Sequence, residues 1–133
     1  MRSLVCRAVV VAAVGIGLGV AGGAWAQAPW TAPESEKSKK SPIAASHKVV
    51  EQGKKVAQVN CASCHGKSGK GDGAAAMALN PKPADWTSKK IQGESDGELF
   101  WKITSGRGAM PAWRHLPEND RWALVQYIRT LKK

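Results

Sequence analysis

The run Cys61-Ala62-Ser63-Cys64-His65 constrains this 133-residue chain more than any other feature. Two cysteines three positions apart, followed at once by a histidine, form the attachment signature of c-type haem. The spacing has a chemical reason. At a helix end, each thiol can reach one vinyl group on neighbouring pyrrole rings, and the next side chain, His65, then stands beneath the iron. A chance match in a chain with 3 Cys and 3 His is on the order of one in a thousand. Rival readings need other features. A redox Cys-x-x-Cys pair requires no adjacent histidine. A zinc site needs four ligands, and no second Cys/His pair stands at the usual spacing. A disulfide between Cys61 and Cys64 would suit an exported protein.

Composition agrees with a core filled by something other than side chains. Hydrophobic residues make up 43% of the chain, but 18 of them fall in residues 1–26. The remainder holds one Phe, one Tyr and five Trp, which is thin material for a core of this size. Large multidomain enzyme, collagen-like and coiled-coil readings are excluded by length and composition.

Residues 1–26 read as a secretory signal peptide. Arg2 and Arg7 frame a basic start, Ala8 to Ala24 is an uncharged run, and Ala24-Trp25-Ala26 is a small-x-small site. Cleavage falls after Ala26, with Ala28 the near alternative. Five glycines between Gly15 and Gly23 argue against an uncut spanning helix, which wants about 20 apolar residues. Cys6 precedes the apolar run, so it is no lipid-attachment site and leaves with the leader. The expected location is the periplasm, with a membrane anchor facing the periplasm as the alternative and no stable membrane insertion once the leader is cut. Residues 27–46 combine three prolines, four serines and a lysine cluster without an apolar period, which predicts a flexible linker.

The folded domain is expected over residues 47–133. Val49, Val50, Val56, Ala57 and Val59 suit one face of a first helix over 47–60. Residues 66–93 read as loop, with a helical turn within Gly73–Leu79. Ser95-Asp96-Gly97-Glu98 fits a capping box ahead of a helix that stops at Gly106. A last helix starts around Pro117, with Trp122, Leu124, Val125, Ile128 and Leu131 on its apolar face. No strand pattern and no internal repeat is visible.

With these residues in view, the chain resembles the class I c-type cytochromes, small monohaem electron carriers. The matching segments are CASCHG at Cys61–Gly66, GKGDG at Gly69–Gly73, NPKPADW at Asn80–Trp86, GRGAMPAW at Gly106–Trp113 and the closing RWALVQYIRTL. CASCHG is highly specific, the Met-Pro segment moderately so, and the glycine loop weak. The resemblance implies an all-α fold of three to four helices around one haem c, held covalently through Cys61 and Cys64, with His65 as iron ligand. It implies Met110, ahead of Pro111, as the sixth ligand. Met77, His115 and His47 are the other candidates, with core filler the plain reading of Met77 and surface that of His47. A Met/His pair raises the reduction potential relative to two histidines, and a filled sixth position leaves no substrate site at iron, so no enzymatic activity is expected.

The same resemblance puts Gly53 where the first helix crosses the last, near Tyr127. Pro81 or Pro83 could offer a carbonyl to the ring N–H of His65. Trp86 and Trp113 are candidates for contact with the haem or its propionates, and Trp101 and Trp122 for core. The formal net charge is +10; loss of Arg2 and Arg7 with the leader brings it to +8, and two haem propionates to about +6. Lys67, Lys70, Lys82, Lys89, Lys90, Lys102, Arg107 and Arg114 flank the haem-binding segments, a basic rim that would steer acidic redox partners such as a dehydrogenase, reductase or oxidase. The protein is expected as a monomer or as the haem-carrier subunit of a larger enzyme complex. A peroxidase or gas-binding haem is the remaining rival. Nucleic acid is not an expected partner.

Overall fold

The computed structural model describes residues 29–133; the signal peptide, Cys6 and both cleavage positions lie outside the described residues. The described chain is all-α. Its elements are α1 (Glu34–Lys37), α2 (His47–Asn60), α3 (Ala62–His65), a 3₁₀ turn (Ala76–Ala78), α4 (Lys89–Gln92), α5 (Asp96–Ser105) and α6 (Glu118–Thr130). The three long helices and the turn within Gly73–Leu79 are those that the sequence predicts; α1, α3 and α4 are additions. Among the described residues the only β-type pairing is an isolated bridge between Arg107 and Met110.

Helix α2 begins where the Ser46 hydroxyl accepts the Val49 N–H at 3.3 Å, satisfying one of the amides that a helix start leaves unpaired. Helix α6 follows Pro117 with Glu118 and Asp120 in its first turn and Arg129 in its last, so each charge opposes the helix dipole. These two helices form the main packing unit. Gly53 is the reason they can approach so closely: a Cβ there would collide with the Ala123 carbonyl and stand 2.9 Å from the Leu124 nitrogen. The expected crossing is therefore present, closest at Ala123, one turn before Tyr127. Trp122, Leu124, Val125 and Ile128 are each at most 2% exposed.

Helix α5 completes the core. Phe100 stacks on Trp122 at 4.0 Å between centroids and 11° between planes. Leu99 and Ile103 are buried with them, whereas Trp101 is only half-buried, so of the two tryptophans assigned to the core only Trp122 is fully inside. The capping box is half built. Ser95 Oγ accepts the Glu98 N–H at 3.1 Å, but the Glu98 carboxylate turns away and serves Lys102 and the Ala32 amide.

That turn accounts for the largest departure from expectation. The segment expected as a flexible linker packs on α5. Ala32 is 4% exposed, and its N–H donates to Glu98 Oε1 at 3.4 Å. Ser95 Oγ donates to the Lys37 carbonyl at 2.8 Å. Gly97 is the seat: a Cβ there would strike the Glu36 carbonyl and lie 2.9 Å from that of Lys39. Ile43 packs against the main core. Composition suggested a tether because these anchors are few and widely spaced, and no helical or strand period joins them.

Lys102 is corrected by the same contact. It does not belong to a basic rim: it is 9% exposed, pairs with Glu94 at 2.6 Å and Glu98 at 3.1 Å, and lies 5.5 Å from the centroid of the Trp30 ring. Two carboxylates and one aromatic face make burial of an ammonium tolerable.

Candidate functional site

Cys61 sits at the joint between α2 and α3. Its N–H donates to the Ala57 carbonyl at 2.9 Å, closing α2, while its own carbonyl accepts the amides of Cys64 at 3.1 Å and His65 at 2.9 Å. One residue thus ends one helix and starts the next turn, which carries Cys64 and His65 with it. Cys61 and His65 are each 8% exposed and Cys64 is half-buried; both thiols are free. Burial, and secondarily the charge of Cys64, pushes the Cys61 thiol up to about 11, so it is an uncharged thiol at neutral pH.

The loop that follows folds back on the motif. Gly71 N–H donates to the His65 carbonyl at 2.8 Å, Gly73 N–H to that of Cys64 at 3.1 Å, and Ala75 N–H to that of Ser63 at 2.9 Å. The carbonyls at the end of α3 are thereby satisfied without water, and the motif is gripped from both sides.

His65 Nδ1 donates to the Ala84 carbonyl at 3.0 Å. A carbonyl can only accept, so the proton is on Nδ1 and the Nε2 lone pair is left for a metal. The acceptor is neither of the two prolines considered: the chain delivers the carbonyl of the residue after Pro83. Burial lowers the pKa of His65 below the usual histidine value, against the upward pull of the Ala84 bond, which favours the neutral ring, the form that a metal ligand requires. Trp86 stacks on this ring at 4.5 Å and 23°.

Met110 lies in the loop between α5 and α6. The loop is closed by Arg107 N–H to Met110 carbonyl at 2.9 Å and Met110 N–H to Arg107 carbonyl at 3.0 Å, and it is tied to α5 by Trp113 N–H to Ile103 carbonyl at 3.1 Å. Met110 is half-buried and packs on the core cluster that includes Cys61. The rival ligands are placed differently. Met77 is 86% exposed, so it is not the core filler expected of it. His47 and His115 are both exposed, and His115 lies tilted against Trp113 at 5.5 Å. Trp113 itself packs on the core.

The donors present suit a haem. Two uncrosslinked thiols stand one turn apart, and a neutral imidazole with one nitrogen committed to a carbonyl follows directly. Among the described residues no three His, Cys, Asp or Glu side chains gather as a site for a bare ion. A single imidazole with a thioether is a sufficient protein contribution when the cofactor brings its own four ring nitrogens. Of the basic rim, Lys67, Lys70, Lys89, Lys90 and Arg114 are exposed, while the Lys82 ammonium caps the carbonyls of Ala76 and Met77 at 3.0 and 3.1 Å. Sequence reasoning missed Ala84. It carries no side-chain signal, because only its backbone oxygen is used.

Comparison with known proteins gives a consistent picture. The family model described as cytochrome c oxidase, cbb3-type, subunit III matches residues 48–128. The cbb3-type cytochrome c oxidase subunit CcoP of Azospirillum brasilense is 36% identical over 83 residues, 61% of this chain and 28% of that protein. Cytochrome c6 of Cladophora glomerata is 35% identical over 78 residues, 57% of this chain and 81% of that protein. The chain therefore spans little more than a quarter of the oxidase subunit's length. Among solved structures, a chain of the Kuenenia stuttgartiensis reducing HAO-like protein complex Kustc0457/Kustc0458 superposes with a TM-score of 0.62 at 28% identity, covering 70% of this chain and 48% of that one. The KustC0563 c-type cytochrome superposes at 0.52 with 25% identity, covering 61% of this chain and 98% of that one. The chain belongs to the cbb3-type cytochrome c oxidase subunit III family, and it is an electron-transfer class I c-type cytochrome with covalently bound haem c.

Proposed function

We propose that the protein is a periplasmic monohaem electron carrier in which Cys61 and Cys64 hold the haem through two thioethers and His65 and Met110 are the axial ligands. The observation that carries this reading is the contiguous Cys61–His65 turn, with both thiols free and His65 held by Ala84 so that its second nitrogen is available. Bound haem c supplies an iron that gains and loses one electron.

The residues of the chain define how that electron is handled. The Ala84 carbonyl fixes the His65 tautomer and ring direction, and it strengthens the donor power of the free nitrogen. Met110 offers a neutral, polarisable sulfur, which favours the reduced state relative to a second histidine. The Arg107–Met110 bridge and the Trp113 tie to α5 hold that sulfur's loop in one arrangement, so both redox states can share nearly the same geometry. With both axial positions taken by side chains, no coordination site remains for a substrate. Lys67, Lys70, Lys89, Lys90 and Arg114 provide positive surface for brief encounters with acidic redox proteins. Export rests on the leader; among the described residues no helix is long and apolar enough to cross a membrane.

A second reading is favoured by the relatives. One is an oxidase subunit and another belongs to an HAO-like complex, so the same domain could serve as the dedicated haem carrier of a larger enzyme. Purification under mild conditions separates the two: a free carrier elutes alone, a subunit with its partner.

The ligand assignment is tested with Met110→Ala. The parent holoprotein should show a low-spin visible spectrum in both redox states and should not bind carbon monoxide when reduced. The variant should bind carbon monoxide and lower the reduction potential. An unchanged spectrum in Met110→Ala would remove Met110 from the iron. Carbon monoxide binding by the reduced parent would favour the gas-binding rival.

A further inference from the structure

We infer that Trp86 is a positioning residue for the haem ligand: its indole, stacked on the His65 imidazole, sets the ring's orientation and biases the iron toward its oxidised state. This rests on the reading of His65 as axial ligand.

The stack is built and not incidental. The two rings lie 4.5 Å apart at 23°, at the short end of the range for favourable offset stacking. Two backbone hydrogen bonds hold Trp86 there. Its N–H donates to the Gly69 carbonyl at 2.7 Å. Its carbonyl accepts from Gln92 Nε2 at 2.7 Å, and the same amide group also donates to the Ile128 carbonyl at 2.9 Å, which ties the tryptophan to α6. Gly69 leaves the space for the indole: a Cβ there would stand 2.7 Å from Trp86 Cε3. Trp86 is 7% exposed and belongs to the main core cluster, so its orientation is set by packing.

Two consequences follow from this geometry. His65 is restrained in two directions, by Ala84 along the Nδ1–H bond and by Trp86 across the ring face, and together these leave little freedom about the Cβ–Cγ bond. The electronic consequence has a definite sign. The indole face carries negative electrostatic potential. An imidazole that ligates iron and donates Nδ1–H carries more positive charge when the iron is oxidised. The attraction between face and ring, a weak relative of the cation–π contact, is therefore larger in the oxidised state and lowers the reduction potential. A leucine at the same place would keep the site apolar but remove the face, which isolates this contribution from simple burial.

The test uses the holoprotein and two variants, Trp86→Leu and Trp86→Phe, with Trp122→Phe as a core control at the ring that stacks on Phe100. In an equilibrium redox titration at a fixed solution potential, Trp86→Leu should lower the oxidised-to-reduced ratio about three- to tenfold, where tenfold is about 59 mV for one electron. Trp86→Phe, whose smaller face is a weaker partner than an indole, should recover about half of that shift on a logarithmic scale and keep a ratio below that of the parent. The His65 Nδ1 proton, followed by NMR, should exchange with solvent faster in Trp86→Leu than in the parent. Trp122→Phe should lower the thermal midpoint yet leave the ratio within twofold. If Trp86→Leu does not assemble with haem, Trp86→Phe alone decides: a downward shift of the ratio supports the inference, and a ratio equal to that of the parent overturns it. A ratio in Trp86→Leu within twofold of the parent, or a shift of equal size in Trp122→Phe, also overturns it. The parent's own spectrum separates the two levels of the argument. A parent lacking a histidine-ligated low-spin haem defeats the proposed function, whereas a normal parent with unresponsive variants defeats only the role of Trp86.

Discussion

Two glycines do the same job at two different joints. Gly53 on α2 seats the Ala123 carbonyl of α6, and Gly97 on α5 seats the Glu36 carbonyl of the N-terminal arm. The surroundings differ. The first joint is apolar and joins two long helices, with Val56, Ala57, Leu124 and Val125 buried around it. The second is polar and joins a four-residue helical turn to the domain through Ser95, Glu98 and the buried Lys102. The first joint lies on α2, the helix that Cys61 caps. The second lies on α5 and fixes where the arm runs. Close backbone approach is thus used once to make the fold and once to dock an accessory segment upon it.

The comparison breaks most sharply at Gly53. Gly53→Val would push the α2 and α6 backbones apart, at a cost of about 3 kcal/mol or more, at or beyond the top of the usual range for overpacking. We expect little or no holoprotein to accumulate in periplasmic expression, measured by haem-stained yield. Gly97→Val should cost less, about 1–2 kcal/mol, because the arm can lift away without opening the core. Its expected signature is faster tryptic cleavage at Lys37, Lys39 and Lys40, with an unchanged visible spectrum. Equal loss of haem in both variants would erase the distinction drawn between the joints.

The smallest expected effect is pH-dependent and belongs to the first joint alone. Burial, and secondarily the Glu51 carboxylate on α2, raises the Tyr127 phenol above its ordinary value near 10. The folded state therefore favours the neutral phenol more than the unfolded chain does. This contribution is fully present below about pH 10 and is lost as pH rises through the folded-state value. Tyr127→Phe should flatten the alkaline limb of holoprotein stability and leave neutral pH nearly unchanged. Cleavage at the arm should not share this alkaline dependence.

The two joints also differ in how far they could be read in advance. Gly53 lies in a helix with a clear apolar period, and the family resemblance pairs it with the last helix near Tyr127; the closest approach is at Ala123, one turn earlier. Gly97 falls in a sequence that predicts a capping box, and half of that box is present, in the bond from the Glu98 amide to the Ser95 hydroxyl. The arm that lies on it was read as a tether because Pro, Ser and Lys dominate its composition, while the residues that dock it, Ala32 and Ile43 with Trp30 beside Lys102, make no period. Lys102 shows the same limit. A lysine four residues after Glu98 suggests a surface pair, yet Glu94 and Trp30 enclose it, and nothing local in the sequence foretells that enclosure.

The sequence by itself determined the chemistry of the centre. Cys61, Cys64 and His65, the residues proposed to hold the haem, lie within five consecutive positions, so helix geometry alone brings them together. It also determined the helices whose apolar faces repeat at the helical period, the stop at Gly106 and the start at Pro117, because these are local consequences of backbone sterics. Only the tertiary structure decided which carbonyl reaches His65, which aromatic ring covers its face and where the N-terminal arm rests. Those choices depend on how distant segments cross, on a backbone oxygen that every residue possesses, and on space left by glycines whose neighbours lie far away in the chain.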